Sequence, residues 1–411
     1  MDHEMRPITD GEFERLIRSA AGTFGEDVSP EAIDHDRRFF ELERSLAVFD
    51  RGDIVASAGA FSFDLTLPGL ATVPAAGVTW VTVRPTHRRQ GILRRMMDRQ
   101  LDDVAAAGEP IAVLIATEAT IYGRFGYGIG TRCNVVEIRT EGLGLMPAPR
   151  AGGRVRLLEP DDARKVLPGL YDDHRRAQPG ALTCNERWWD SYISDPEKLR
   201  DGYSSRYYAV HENEAGEADG YAAYRISWSS WSPERPGATL RLDRLHTAGP
   251  ETDAALFDFL LGVDLIWNIE LRARPVDDHL RWRLSNFRRY RVMRTNDWLW
   301  VRLVDLPAAL AARTYSTDDT LTIDVTDPFR PANSGVYRID GGPEGATCER
   351  VDVGVDADLA LPVDILGAAY LGGTALATLA AAGWVAGSPE AVARADAMFR
   401  SVPAPFCDRD F

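Results

Sequence analysis

Arg88, Arg89 and Gly91 combine full positive charge with a position that has no side chain, as a phosphate-binding loop requires. A helix is predicted to begin at Gln90 or Gly91, and the first turn of a helix offers unpaired amide groups and a favourable dipole to an anion. Gly91 leaves room for a phosphate to approach the backbone. These residues predict a pyrophosphate-binding loop, although a basic solvated surface would have a similar composition.

A strand and a helix must hold this loop in place. Residues 78–83 are predicted as an apolar strand, which Pro85 prevents from extending further. The following helix carries apolar residues at helical spacing as far as Val104, and Gly108 is placed to end it. The arginines therefore lie where the strand ends and the helix begins.

A second segment brings aromatic side chains close behind another strand. Residues 111–116 form a short continuous apolar run, which predicts a buried strand. Tyr122, Phe125 and Tyr127 follow it. A tyrosine with the reference pKa of ~10 is protonated at pH 7 and can donate a proton. The alternative is that these three side chains belong only to the core.

Together the two segments resemble GNAT-fold N-acetyltransferases. Arg88-Arg89-Gln90-Gly91-Ile92-Leu93 is similar to their R/Q-x-x-G-x-G/A loop, which grips the pyrophosphate of acetyl-CoA, although Leu93 stands where glycine or alanine is usual. Tyr122 matches the tyrosine that often protonates the departing thiolate. A closer resemblance, to the Eis (enhanced intracellular survival) family, covers most of the chain through residues 85–89, 121–128, 268–278, 299–310, 366–373 and 406–411.

This resemblance implies a mixed α/β (α+β) fold of tandem GNAT units followed by a sterol-carrier-like α+β domain. We expect an acetyl-CoA-binding GNAT domain at residues 1–145, a second GNAT-like domain without a cofactor loop at 154–297, and the sterol-carrier-like domain at 298–411. The first unit is expected to end with a strand at 133–139. Residues 141–153 are rich in glycine and proline and indicate a linker.

The resemblance also implies the site. Tyr122 would be the general acid, and the terminal carboxylate of Phe411 would hold the acceptor ammonium or take its proton; a frayed terminus is the alternative for Phe411. In GNAT folds the strand around Trp80 aligns pantetheine, and a bulge there aims an amide at the thioester oxygen. The expected acetyl-CoA-binding residues are Val81, Thr82, Val83, Arg88, Arg89, Gln90, Gly91, Ile92, Leu93, Arg94, Thr117 and Glu118.

Two further expectations concern carboxylates. Glu118 has an equal alternative as a helix-capping residue. The expected acceptor-binding residues are Phe24, Glu26, Asp297 and Asp410, of which the three carboxylates would bind ammonium groups through charge-assisted hydrogen bonds.

Composition restricts the partners. A formal net charge of -15 would repel nucleic acid and attract a polycationic small molecule. The four cysteines lack metal-ligand spacing, so we expect no metal, and thiols reduced in the cytoplasm. Residues 365–389 are uncharged, but glycines interrupt them, which favours two short buried helices around a glycine turn over a membrane span.

The sequence thus favours an acetyl-CoA-dependent N-acetyltransferase that acts on amines of a polycationic small molecule such as an aminoglycoside. Two alternatives stay open: acetylation of protein lysines or amino termini, and a non-catalytic lipid-binding protein that uses the sterol-carrier-like domain. The resemblance further implies a homo-oligomer, a homohexamer.

Overall fold

The computed structural model describes residues 3–228, 232–234, 237–351 and 354–411. Within these residues the chain forms three mixed sheets with helices on them. Two compact units are present. The first runs up to Thr131 and also contains Pro179–Leu182 and Asp297–Phe411, and the second contains Arg132–Gln178 and Thr183–Asn296.

The amino-terminal segment of the first unit contains six strands and four α-helices among its described residues. They are β1 (Glu4–Arg6), α1 (Phe13–Phe24), α2 (Pro30–Arg37), β2 (Leu46–Asp50), β3 (Asp53–Thr66), β4 (Thr72–Val83), α3 (Ile92–Ala106), β5 (Ile111–Ile115), α4 (Ala119–Tyr122) and β6 (Gly128–Ile129).

The described part of the second unit is built from the next group of elements. They are β7 (Arg132–Arg139), β8 (Arg154–Leu158), α5 (Pro160–Arg176), α6 (Glu186–Ser194), β9 (Tyr207–Glu212), β10 (Ala218–Ser227), β11 (Ala238–Thr247), α7 (Pro250–Leu261), β12 (Ile266–Arg274), α8 (Leu280–Arg283) and β13 (Tyr290–Asp297).

The carboxyl-terminal segment returns to the first unit. Its elements are β14 (Leu299–Leu303), α9 (Leu306–Ala312), β15 (Asp319–Thr326), β16 (Gly335–Gly342), β17 (Gly345–Val351), β18 (Leu359–Pro362), α10 (Val363–Tyr370), α11 (Leu376–Ala381), β19 (Ala386–Gly387) and α12 (Pro389–Phe399).

The first sheet has the strand order β1-β2-β3-β4-β5-β14-β6. Its neighbours are antiparallel except β4 and β5, which run parallel and are joined through α3. The buried residues of α3 recur at helical spacing, and Met97, Leu101 and Val104 join a core with Val78 and Leu114.

One strand lies in a different unit from the one predicted. We expected the first unit to end with a strand at 133–139, but β7 belongs to the second unit and pairs antiparallel with β12 in the second sheet. The antiparallel partner of β5 in the first sheet is β14, from the segment assigned to the third domain. The apolar pattern of a strand indicates that the strand is buried, but it does not indicate which other strand it pairs with. The boundaries at residues 145, 154 and 297 stay predictions.

In the second unit the sheet has the order β13-β7-β12-β11-β10-β9-β8. β9 and β10 pair antiparallel, and β11 runs parallel to β12. The strand β11 is followed by Ala248 and Gly249, and α7 then begins at Pro250. This connection contains no arginine, unlike the loop that precedes α3.

The third sheet, β17-β16-β15-β18-β19, lies in the first unit. The uncharged run around residue 370 forms two helices, with Gly372 in the left-handed region at φ +80° between them. Most of α10 is buried, but α11 buries only Leu376, so the expectation of two buried helices holds for the first alone. The structure shows no helix, among the residues it describes, that could cross a membrane.

Candidate active site

Strand β4 is irregular at Trp80, whose φ of +47° is rare for a large side chain. The pairing of β3 with β4 shifts register between Ser57 and Gly59, so a bulge lies in β4 at this point. The Ser57 hydroxyl donates to the Trp80 carbonyl at 2.8 Å and lies 2.7 Å from the Thr82 hydroxyl. The buried Ser57 thus holds both sides of the bulge.

The pairing of the two parallel strands ends just before the bulge. The last paired residues of β4 and β5 are Val78 and Leu114, yet β4 continues to Val83. Residues 81–83, beyond this pairing, line a pocket together with Thr117 and Glu118, which follow β5. An extended chain can add to such a strand edge through main-chain hydrogen bonds.

The pocket has a volume of about 820 Å³. Its lining includes the end of α1, the far part of β4, the loop before α3, and the segment from Thr117 to Phe125. The residues are Thr23, Phe24, Val81, Thr82, Val83, His87, Arg88, Arg89, Gly91, Ile92, Leu93, Arg94, Thr117, Glu118, Thr120, Ile121, Tyr122, Arg124 and Phe125. Four are arginines and one is acidic, so the pocket favours an anion although the whole chain is negative.

The loop before α3 places a left-handed glycine at the helix start. Gly91 has φ +76° and occupies the N-cap of α3, and a β-carbon built there would meet nothing within 4 Å. Arg89 is also left-handed, at φ +63°. This geometry leaves an open approach to the amide groups of the first turn. Gln90 lies outside the lining residues, and its Nε2 donates to the Thr86 carbonyl at 3.4 Å.

Tyr122 reaches the pocket from the end of α4 and is 6% exposed. Burial, and the nearby negative charge of Glu118, raise its pKa to about 12. The phenol is therefore protonated throughout the neutral range. Its ring lies edge-on to Tyr127, with centroids 6.1 Å apart.

Glu118 occupies the N-cap position of α4, but its side chain makes no capping hydrogen bond. The side chain is exposed and lines the pocket beside Thr117. The capping alternative considered from the sequence therefore does not describe this glutamate.

Phe411 is folded onto the first sheet. Its ring lies 5.1 Å from that of Phe63 and 6.5 Å from that of Phe61, measured between centroids. The indole of Trp298 donates to the Arg409 carbonyl at 3.1 Å and fixes the preceding backbone. Phe61 in turn contacts Trp80 at 5.6 Å. The last residue thus lies one aromatic side chain away from the bulge, outside the residues that line the pocket.

The four expected acceptor residues are not brought together in this pocket. Phe24 lines it and is 49% exposed. Glu26 follows the end of α1 and is exposed. Asp297 accepts a hydrogen bond from the Trp300 indole at 2.7 Å, and Asp410 is exposed in the terminal segment. Glu26, Asp297 and Asp410 lie outside the lining residues.

Sequence reasoning missed several lining residues, among them His87, Thr120 and Arg124. Each is adjacent to a motif that was recognised, so extending both motifs by a turn would have found them. Ser57 gave no signal, because a small polar residue in a strand has many roles.

The carboxyl-terminal segment supports the pocket from within the same unit. Phe329 is buried between two lining residues: its ring lies 4.9 Å from that of Phe125 and 5.2 Å from the guanidinium of Arg94. Nearby, Arg302 and Asp327 form a fully buried ion pair at 2.5 Å. A β-carbon at Gly126 would lie 2.0 Å from the Arg302 guanidinium, so only glycine fits there.

Comparison with known proteins agrees with this geometry. The sequence matches two families of acetyltransferase (GNAT) domain, over residues 4–130 and 180–303, and the sterol carrier protein domain over residues 306–408. An uncharacterized N-acetyltransferase of Streptomyces coelicolor is 42% identical, with 100% of each chain covered.

Two relatives carry the family name. N-acetyltransferase Eis of Mycobacterium tuberculosis is 29% identical over 91% of this chain and 90% of its own. The crystal structure of Eis1 from Mycobacterium abscessus has a TM-score of 0.86 at 32% identity, covering 99% of this chain and 100% of that one.

Fold and site thus define a GNAT-fold N-acetyltransferase. Within that class, the chain belongs to the Eis family. The predicted fold class, with GNAT domains and a carboxyl-terminal sterol carrier domain, is confirmed.

Proposed function

We propose that this enzyme transfers the acetyl group of acetyl-CoA to amino groups of polycationic small molecules such as aminoglycosides. One observation carries the proposal: a single pocket joins a left-handed glycine at a helix start, the part of β4 that extends beyond its pairing with β5, and a buried tyrosine.

The pocket fits a long polyanionic thioester. Arg88, Arg89 and Arg94 supply charge around the open amide groups at Gly91, where a pyrophosphate would bind. The edge of residues 81–83 would align the pantetheine by main-chain hydrogen bonds. Ile92, Leu93, Thr117 and Glu118 line the same channel. Gln90 would contribute through its backbone, since its side chain turns to Thr86.

The reaction requires proton transfers in both directions. An ammonium must lose its proton before its nitrogen can attack, the new C–N bond forms as the C–S bond breaks, and the sulfur takes a proton. The net products are the amide, the free thiol of coenzyme A and one proton. The bulge between Trp80 and Thr82 is the feature that would direct an amide at the thioester oxygen.

Tyr122 would give the proton to the leaving sulfur. Because its pKa is about 12, leaving a phenolate beside a thiol of pKa ~8.5 would cost about 5 kcal/mol. The transfer should therefore be coupled to recovery of a proton, namely the second one that the nitrogen releases once the C–N bond has formed. Donation by a neutral phenol as the C–S bond breaks satisfies this balance.

The carboxylate of Phe411 would hold the acceptor ammonium and accept the proton that it loses before the nitrogen attacks. Its support is the docking of the terminal ring against Phe61 and Phe63, which orders the last residue. Phe24 would contact the body of the acceptor, and Glu26, Asp297 and Asp410 would bind its remaining ammonium groups. For Asp297 this role would share the carboxylate with the Trp300 indole. The net charge of -15 attracts a polycation.

The proposal also includes a homohexameric assembly and a cytoplasmic location. The assembly is implied by the resemblance to the Eis family, and the location by the pattern of cysteines.

A panel experiment tests the acceptor. Thiol release from acetyl-CoA is measured with aminoglycosides, simple polyamines and lysine peptides, and the products are identified by mass. We expect kcat/KM to rise with the number of amines. If only the lysine peptides are acetylated, the acceptor is a protein and not a small molecule. If nothing is acetylated, the lipid-binding alternative is favoured.

The cofactor assignment has a separate test. Acetyl-CoA and acetyl-pantetheine share the thioester, but only acetyl-CoA has the pyrophosphate. We expect calorimetry to show strong binding of acetyl-CoA alone, and equal affinities would contradict the loop assignment.

A further inference from the structure

Three potential metal ligands meet beside the cofactor loop, at the edge of the first sheet. His3 precedes β1, Asp50 ends β2, and His87 lies in the short turn Pro85–His87. One ligand atom from each lies within 4.8 Å of the others. The His87 Nε2 and Asp50 Oδ2 atoms are 3.2 Å apart, and the two imidazole centroids are 6.0 Å apart.

The environment orients these side chains. The Thr86 hydroxyl lies 2.8 Å from His87 Nδ1, which leaves Nε2 directed at the carboxylate. Nδ1 of His3 is buried without a hydrogen-bond partner among the described residues. An imidazole nitrogen in that state loses its interaction with water and gains nothing in exchange.

We propose that His3, Asp50 and His87 form a binding site for a divalent transition-metal ion of the zinc class. Zinc binds imidazole nitrogen and carboxylate oxygen at about 2.0–2.2 Å, which puts tetrahedral ligands about 3.4 Å apart. The separation of 3.2 Å between His87 and Asp50 already matches this spacing. Two imidazoles exclude magnesium and calcium, which prefer oxygen ligands. Two protein imidazoles and one carboxylate leave a position for water or another small ligand.

We expected no metal because the cysteines lack metal-ligand spacing, but the ligands of this site are histidines and a carboxylate. Its ligands come from three separate segments of the chain, and Asp50 and His87 alone are 37 positions apart. Such a set has no sequence signature, because the sheet rather than the local chain brings its members together.

The position of His87 gives the site a consequence for the enzyme. His87 lines the pocket next to Arg88, so a metal there adds positive charge beside the region proposed for the pyrophosphate. Acetyl-CoA and the metal should therefore strengthen each other's binding by the same factor, as linkage requires. The metal site itself does not depend on the acceptor or on the transfer chemistry.

The test is metal binding by the full chain, without a polyhistidine tag. Zn²⁺ binding is measured by calorimetry, and Co²⁺ binding by its visible absorption. We expect one ion per chain, and at least about 100-fold weaker binding in His3→Gln and Asp50→Asn. Thr86→Val should weaken binding about 10-fold, because it removes the partner that orients His87.

A matched control is available in the second unit. His279 Nε2 lies 3.3 Å from Asp253 Oδ2, so this pair has the same chemistry and spacing as His87 and Asp50. Among the residues described, however, the His279–Asp253 pair is not part of a group of three potential metal ligands. His279→Gln should bind zinc as the wild type does. No saturable binding, binding unchanged in both His3→Gln and Asp50→Asn, or loss in His279→Gln would each overturn the proposal. Thermal unfolding checks that every variant is folded.

Discussion

The ring of Phe411, the last residue, packs against the ring of Phe63 with an angle of 66° between the ring planes. Both rings lie so close to Gly77 that a β-carbon there would be 2.4 Å from Phe63 and 3.2 Å from Phe411. Gly77 belongs to β4, a few residues before the bulge. The terminal residue thus packs on the strand whose far end lines the pocket.

Adding one alanine after Phe411 should lower acetylation by at least about 10-fold without lowering Tm. The addition keeps the aromatic packing but replaces the carboxylate with an amide. Steady-state kinetics measure the effect, with thermal unfolding run first. Phe411→Leu is the control, because it keeps the carboxylate and changes the ring. Full activity in a stable extended protein would show that the terminus has only a structural role.

Gly91→Asp should abolish acetyl-CoA binding, because it puts an anion where the pyrophosphate approaches the first turn of α3. The control is Gly91→Asn, because asparagine has nearly the same shape as aspartate without its charge and also tolerates the φ of +76° found at this position. Its affinity should fall less, by the steric part alone. Calorimetry with acetyl-CoA compares the two variants. Equal affinities would mean that charge at this position does not matter.

Tyr122→Phe should lower kcat by ~10² to 10⁴ and leave acetyl-CoA affinity nearly unchanged. The hydroxyl is needed for proton donation, whereas the ring fills the core. Because the pKa of Tyr122 is about 12, its ionisation should not reduce wild-type kcat between about pH 8 and about pH 10. Wild-type turnover in the variant would remove Tyr122 from the mechanism.

The sequence was informative where chemistry is encoded locally. Residues 88–91 carry the loop and its helix start in consecutive positions, and the strand, the aromatic turn and Tyr122 follow in order. The structure places most of these residues around one pocket for that reason. The bulge at Trp80 was expected only through the resemblance, because no pattern in the strand itself marks the left-handed residue.

The remainder could not be predicted because it depends on long-range pairing. β14 is a fully buried run that pairs with β5, whereas β7 mixes buried and partly exposed residues and pairs with β12. Neither pattern indicates which strand its members will pair with. Phe329 likewise reads as an ordinary core residue, and only the fold places it against Arg94. Contacts between residues far apart in the chain carry no periodicity that could reveal them.

Asp36→Asn should stabilise the protein above pH 6 and not below about pH 4. Burial raises the pKa of the Asp36 carboxyl from 3.8 to about 6. The folded state therefore binds its proton more tightly, and the free energy of unfolding falls as the pH rises through this range. The gain in the variant should reach up to about 3 kcal/mol at neutral pH. Urea unfolding at neutral pH and at about pH 4 measures the difference in the free energy of unfolding. The control is Asp34→Asn, because Asp34 is an exposed residue on the same helix. A gain that does not vary with pH would contradict this account.

Phe329→Leu should raise the KM for acetyl-CoA, because it removes the ring that packs on Phe125 and lies beneath the Arg94 guanidinium. Leucine keeps an apolar side chain, so the loss of stability should be smaller than the ~3–5 kcal/mol typical of Phe→Ala. The effect should appear as weaker acetyl-CoA binding, since Arg94 and Phe125 both line the pocket.

Phe399→Leu provides a control for this last variant within the same carboxyl-terminal segment. The Phe399 ring has a closely similar environment, with Tyr315 at 5.2 Å and the Arg313 guanidinium at 4.9 Å, but none of these residues lines the pocket. Both variants should lower Tm, and only Phe329→Leu should change the acetyl-CoA affinity. Equal affinities in the two variants would show that the carboxyl-terminal segment stabilises the unit without positioning the cofactor residues.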